Sequence, residues 1–415
     1  MNKQALPLII LLSLIAGLLG FNYFSRPFEK TVKVIGESGS EELIVESDWA
    51  VEGEKNEVDI LLESLSPEQK VNQLIAYPLN LSTLKTQETS EQSSASATMA
   101  TKSADLEIKD QRLEISSFGF ITIFGTNISQ QQVVELKDKL SPPSLPRWQA
   151  GSVLRPFVAV DHEGGSVQRL SGTGFTRLPS WQEFCSLEAN KRQELLASSA
   201  VELSRAGIKI IFAPTVDVGA SKVLGNRLCS SDPQIVSQRA SEFITIFSKQ
   251  GILPVIKHFP GIGQISRDLH SNFDRISVSS ESATVFRDVL TKFPEIGVMV
   301  AHVGVTNQYP DIPCSLSAAC VGELKNNFPT TLIFSDALDM NSARFNTAQE
   351  NKDLSQISLE AVQAGIEVLV YGQAVDESQL LEVQNSLVAK YQADEAFAAK
   401  VDEAALKIIK FKLHE

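Results

Sequence analysis

The sequence predicts a single (β/α)8 barrel of the TIM type, placed behind an N-terminal apolar segment. Two observations carry this reading. Short, nearly continuous apolar runs alternate with amphipathic segments along most of the chain, and polar residues gather at the same end of one run after another. A third observation weakens the main rival, since no G-x-G-x-x-G turn follows the first run, as an open dinucleotide-binding sheet would favour.

The runs are FGFITIF (118–124), PFVAV (156–160), IKIIFAP (208–214), ILPVIKH (252–258), IGVMVAH (296–302), TLIFS (331–335) and IEVLVY (366–371). An eighth strand is expected near 73–78. Strands buried on both faces of a parallel sheet read as unbroken apolar runs, without alternation. The segments between them read as helices. In 233–250, Val236, Ala240, Phe243 and Phe247 recur at i, i+4, i+7 and i+11, with Pro233 at the first helical position and Gly251 after the last turn. Leu196, Ala200 and Leu203 form a similar stripe closed by Gly207, and Phe286, Val289, Leu290 and Phe293 form another. PEQKVNQLIAY carries Val71, Leu74 and Ile75 at helical spacing, and 377–391 and 394–412 finish the outer ring. Eight such units fill residues 56–415 and leave no room for a second large domain.

With 415 residues, 43% hydrophobic and 21% charged, the chain can bury a large core. Its net charge of −13 repels polyphosphate and argues against a nucleic-acid partner. The four cysteines, Cys185, Cys229, Cys314 and Cys320, form no CxxC pair, which argues against a structural zinc site and a disulfide framework while leaving one or two disulfides open.

Lys3 precedes an apolar run over 5–24, close to the roughly 20 residues that cross a bilayer. Residues 1–30 therefore read as an export signal. No A-x-A cleavage site follows, so an uncleaved membrane anchor is expected, with the remainder facing the periplasm or cell exterior. Secretion after cleavage is the alternative. Residues 31–55 read as a polar tether. Residues 83–105, rich in Ser, Thr and Ala, read as a low-complexity insertion.

Barrels of this type carry their sites at the C-terminal ends of the strands. There the sequence places Asp161 to Arg169, then Asp217, Gly225-Asn-Arg227, Lys257-His258, Asp268-Leu-His270, His302, and Asp336-Ala-Leu-Asp339. Each has a bland reading as a cap, turn or ion-pair partner, but chance would not cluster polar residues at one end of five apolar strands. The set suits sugar cleavage. Asp161, Arg169, Arg227, Lys257 and His258 offer donors and acceptors to hydroxyls. Asp336 can meet a developing oxocarbenium ion, and a histidine beside a carboxylate, His270 with Asp268, can supply the proton. No metal site is expected, because HExxH-type spacing is absent and the interspersed Arg and Lys repel a cation.

Taken together, VDHEGGSVQRL (160–170), GNR (225–227), KHFPG (257–261) with DLH (268–270), and SDALDM (335–340) resemble the β-N-acetylhexosaminidase branch of glycoside hydrolase family 3. The resemblance runs from about Leu65 to the C-terminus. It implies that Asp336 is the nucleophile of a retaining mechanism, that Asp268 and His270 form the acid/base dyad, and that Asp161, Arg169, Arg227, Lys257 and His258 hold the sugar. It implies an N-acetylglucosamine-containing glycan, such as a peptidoglycan fragment, as substrate, and no cofactor. Ile262 departs from the family, where many relatives carry a polar residue or His. The alternatives are a β-glucosidase-type or phosphorolytic member of the family, or a non-catalytic carbohydrate-binding barrel.

Overall fold

The eight predicted strands form, in order: β1 Ile75–Asn80, β2 Phe120–Phe124, β3 Phe157–Val160, β4 Ile208–Ile211, β5 Leu253–Phe259, β6 Gly297–Val300, β7 Leu332–Ser335 and β8 Leu369–Val370. The structure is a computed structural model and describes residues 57–82, 115–140, 155–278, 280–306, 308–344 and 352–413. The expected anchor (1–30), tether (31–55) and insertion (83–105) lie outside these residues. Among the described residues no helix is long and apolar enough to cross a membrane.

Each strand pairs in parallel with the next, and β8 returns to pair with β1. Between β7 and β8 the contact narrows to one bridge, Phe334–Val368, backed by a 2.9 Å hydrogen bond from Ser335 N to Val368 O. The result is a nearly closed parallel barrel. Every residue of β2, β6 and β7 is buried, which explains why these stretches show no alternation of polar and apolar residues. The interior is packed: Phe334 meets Phe120 and Phe212 edge-on, with ring centroids 6.0 and 5.8 Å apart. Aromatics from opposite sides of the barrel thus meet below the strand ends.

The helices around it are α1 Glu57–Ser64, α2 Pro67–Gln73, α3 Gln130–Leu140, α4 Trp181–Ser186, α5 Ala189–Ala206, α6 Pro233–Ser248, α7 Ser280–Lys292, α8 Ala318–Asn327, α9 Leu354–Ala364, α10 Glu377–Ala393 and α11 Glu395–Leu413. In α6, Asp232 caps Gln234 N, Pro233 opens the first turn, and the predicted stripe from Val236 to Phe247 is buried. Gly207 closes α5 in the left-handed region, at φ 88°. One segment divides differently from its periodicity. PEQKVNQLIAY starts as α2 under a Ser66–Gln69 capping box, but stops at Gln73, and Ile75 begins β1. The apolar residues there serve two elements, because pairing with β2 and β8 overrides helical propensity beyond Leu74.

All four cysteines pair, as Cys185–Cys229 and Cys314–Cys320, which resolves the disulfide question that the count left open.

Candidate active site

The strand order places β3 and β7 four positions apart in a ring of eight, on opposite sides of the barrel. Asp161 follows β3 and Asp336 follows β7, and both line one cavity of about 310 Å³ at the C-terminal strand ends. All eight residues singled out from sequence line it: Asp161, Arg169, Arg227, Lys257, His258, Asp268, His270 and Asp336. Three larger hollows, of about 750, 690 and 620 Å³, lie against the outer helices, at the opposite end of the barrel, and between α7 and α8 beside Phe259. They carry none of these residues, so size alone is a poor guide here.

On the β3 side a short ribbon, His162–Gly164 paired with Val167–Gln168, turns at Gly164 and Gly165. A Cβ on Gly164 would come within 2.2 Å of Pro179 O, and its φ is 93°, so the turn requires glycine. His162 and Glu163 point apart, as extended neighbours do. His162 Nε2 meets Ser199 Oγ at 2.9 Å, away from the cavity.

Glu163 is the hub on this side, with a side chain only 2% exposed. Arg227 donates to both of its oxygens at 2.9 and 2.8 Å, and Lys257 Nζ lies 2.6 Å away. Lys257 also donates to Asp161 at 2.9 Å, and Arg169 approaches Asp161 at 3.6 Å. Burial opposes ionisation of Glu163, but the fields of Arg227 and Lys257 outweigh it and hold the carboxyl far below the usual range. Burial likewise works against the Lys257 charge, and Asp161 and Glu163 more than restore it. Two of the predicted sugar-binding residues, Arg227 and Lys257, thus spend several donors on protein carboxylates. The Cys185–Cys229 disulfide ties the Arg227 turn to α4.

His258 is buried, and its Nδ1–H donates to Asp217 at 2.7 Å. Asp217 also accepts from Ile262 N at 2.7 Å, so one carboxylate in the loop after β4 clamps both ends of the KHFPG segment. On the far side, Asp336 donates its N–H to Val300 O at 3.0 Å and accepts from Ala337 N at 2.8 Å. Burial would raise its pKa. His258, His302, the Ala337 N–H and Lys257 outweigh burial and hold it below the ordinary aspartate range. His302 donates Nε2–H to Ala337 O at 3.0 Å, so Nδ1 must accept from Ser315 Oγ at 2.6 Å. Burial also pushes the His302 pKa down, against the opposing pull of Asp336, the Ala337 backbone and Asp339.

At the mouth, His270 Nδ1 lies 2.7 Å from Asp268 Oδ1. Both side chains are open to solvent, at 73% and 56%. The His270 backbone N–H, then its ring, holds Asp268 below its usual pKa. With Nδ1 given to Asp268, Nε2 is left for a partner outside the protein. The exposed pair still has a fixed base. His270 O accepts from Asn341 N and Leu269 O from Ser342 N, both at 3.2 Å, which ties the loop to the turn after Asp336. Leu269 is buried in a small apolar cluster with Leu224, Ile262, Ile265 and Met340. Ile262, the departure from the family pattern, thus supports this loop.

The sequence reading did not assign roles to Glu163, Asp217, His302 or Asp339. All four follow a strand end, and that position was the signal that could have found them.

The chain is similar to known proteins in sequence and in fold. The sequence profile described as "Glycosyl hydrolase family 3 N terminal domain" matches residues 68–411. A protein called beta-hexosaminidase LpqI from Mycobacterium tuberculosis is 29% identical over 280 residues, covering 63% of this chain and 69% of its own length. A beta-hexosaminidase from Shewanella frigidimarina is 32% identical over 254 residues, 56% of this chain and 70% of the relative. Among solved structures, the beta-N-acetylhexosaminidase from Beutenbergia cavernae superposes with a TM-score of 0.68 at 23% identity, covering 84% of this chain and 99% of that one.

Proposed function

The chain belongs to glycosyl hydrolase family 3, and from that premise we propose that it is a retaining β-N-acetylhexosaminidase. It releases terminal N-acetylglucosamine from a glycan such as a peptidoglycan fragment. One observation carries the reading. Asp161 and Asp336 come from strands on opposite sides of the barrel to one cavity of about 310 Å³, with the Asp268–His270 pair at its mouth. That volume lies at the small end of ligand clefts and suits one sugar ring with its leaving group outside. The names of the relatives support the same substrate class.

In this mechanism Asp161 and Arg169 accept and donate hydrogen bonds at the ring hydroxyls farthest from the reacting carbon. Glu163 holds Arg227 and Lys257 in place beside them. Asp336, whose ionised form the surrounding His258, His302, Ala337 N–H and Lys257 favour, attacks the anomeric carbon as the bond to the leaving oxygen breaks. His270, oriented by Asp268, gives that oxygen its proton. A water then loses a proton to His270 and attacks the same carbon, which frees Asp336 and retains the configuration.

The test is release of p-nitrophenol from its N-acetyl-β-glucosaminide by the full chain, beside its Asp336→Ala and His270→Ala variants. An active parent and a nearly dead Asp336→Ala support the reading. A parent that cleaves only the plain β-glucoside refutes the substrate assignment, and one that binds the sugar without cleaving either glycoside refutes the enzyme reading. The apolar run over 5–24 and the pairing of all four cysteines further support export to an oxidising compartment, with the barrel outside the cell membrane. Recovery of the chain in the cytosolic fraction of its host would overturn that.

A further inference from the structure

Asp339 is a second carboxylate on the segment after β7, three residues beyond Asp336, that lines the cavity, and the mechanism above gives it no task. Its position is built. Oδ1 accepts from Gly372 N at 2.6 Å, which ties it to the end of β8. A Cβ on residue 372 would lie 2.7 Å from Oδ2 and 2.8 Å from Oδ1, so glycine is needed there for the carboxylate to sit as it does. Oδ2 has no hydrogen bond or ion pair among the described residues, unlike both oxygens of Glu163. The acceptor is thus fixed through one oxygen while the other is left for something else.

The geometry of the reaction limits what that can be. The ring is held at its far hydroxyls by the β3 side and at its anomeric carbon by Asp336. Of the two ring atoms next to that carbon, the ring oxygen has no hydrogen to give, and the other carries the C2 substituent. We propose that Asp339 Oδ2 accepts a hydrogen bond from the N–H of a 2-acetamido group and so selects a 2-acetamido sugar. This rests on the hexosaminidase reading. A charge-assisted hydrogen bond of this kind is worth roughly 10–100-fold in rate constant.

The experiment compares the full chain with its Asp339→Asn variant. Asparagine keeps an acceptor for Gly372 N and replaces the free oxygen by a donor, so a merely structural role would survive. The substrates are the p-nitrophenyl glycosides of β-N-acetylglucosamine and of its 2-deoxy analogue, which has no donor at C2. The expected result is a fall of roughly 10–100-fold in kcat/KM on the acetamido substrate. The 2-deoxy substrate should be cleaved equally by both proteins, and the melting temperature should not change. An unchanged rate on the acetamido substrate overturns the proposal, and so does an equal fall on both substrates. A parent that cleaves the plain glucoside but not the acetamido substrate overturns the hexosaminidase reading itself, and this assignment with it.

Discussion

Both ends of the barrel carry buried charge, and only one of them gathers the predicted site residues around a cavity. At the N-terminal end Glu367 is 1% exposed and meets Lys407 at 2.9 Å, Lys325 at 3.6 Å and Ile333 N at 2.8 Å. At the C-terminal end Glu163 meets Arg227 and Lys257 at similar distances. The two clusters look alike as lists of ion pairs. They differ in the groups that line the space beside them. Around Glu367 the cations close on the carboxylate and on one another's neighbours, as Lys325 also meets Glu403 at 2.9 Å. Around Glu163 the same charges border a cavity, and across that cavity Asp336 and Asp339 form no ion pair among the described residues, while Glu163 is bound by Arg227 and Lys257. A buried ion pair is therefore no sign of a site. Lys407 also borders a hollow, of about 690 Å³, but no aspartate or histidine is among the described residues lining it, whereas four aspartates and two histidines line the cavity beside Glu163.

The comparison breaks most sharply at Asp336. Asp336→Ala should lower kcat by at least roughly 10⁴-fold on the N-acetyl substrate while the protein still melts cooperatively, measured by steady-state kinetics and calorimetry side by side. His270→Ala should cost less, on the order of 10²–10⁴-fold, with most of the loss in kcat when the leaving group is a poor one. A loss confined to KM would move His270 out of the acid/base role.

Glu163→Gln and Glu367→Gln sharpen the contrast between the ends. Each leaves buried cations without their carboxylate, and each should destabilise by on the order of 3 kcal/mol, read as a shift in the denaturant midpoint. Only Glu163→Gln should also raise KM, because Lys257 and Arg227 lose their anchor. If Glu367→Gln alters KM as much, the distinction drawn between the two ends fails.

The smallest effect concerns Lys412, buried at the N-terminal end over Phe120 and Phe157, with Gln73 and Arg155 O as its hydrogen-bond partners. Burial lowers its pKa to about 7, against an ordinary lysine near 10.4. The unfolded chain then binds more protons between about pH 7 and pH 10, so this group makes stability rise with pH across that window. Lys412→Met should flatten the slope and leave activity unchanged. Unfolding curves at pH 7 and pH 9 check it, and an unchanged slope would show that Lys412 is not the source.

The barrel was legible because most of its strands are buried on both faces, so that seven of the eight announced themselves as apolar runs, and the eighth, near 73–78, was placed to complete the ring. The eight residues that line the cavity were legible because each stands at or after a strand end in a motif that survives as a string. What could not be read was partnership. Nothing in the sequence tells that Glu163, two residues after Asp161, reaches Arg227 and Lys257, or that Asp217 clamps His258. Those contacts join different strand ends, and register alone decides them. The boundary between α2 and β1 was blurred for the opposite reason, since Leu74 and Ile75 satisfy a helical stripe and a strand run at once.

The most direct test of the account is to trap the glycosyl-enzyme. Incubating the chain with a 5-fluoro N-acetylglucosaminyl fluoride and mapping the modified peptide by mass spectrometry should locate one sugar on Asp336. A sugar found on Asp339 or Asp161 instead, or rapid turnover of the N-acetyl substrate with inversion at the anomeric carbon, would contradict it.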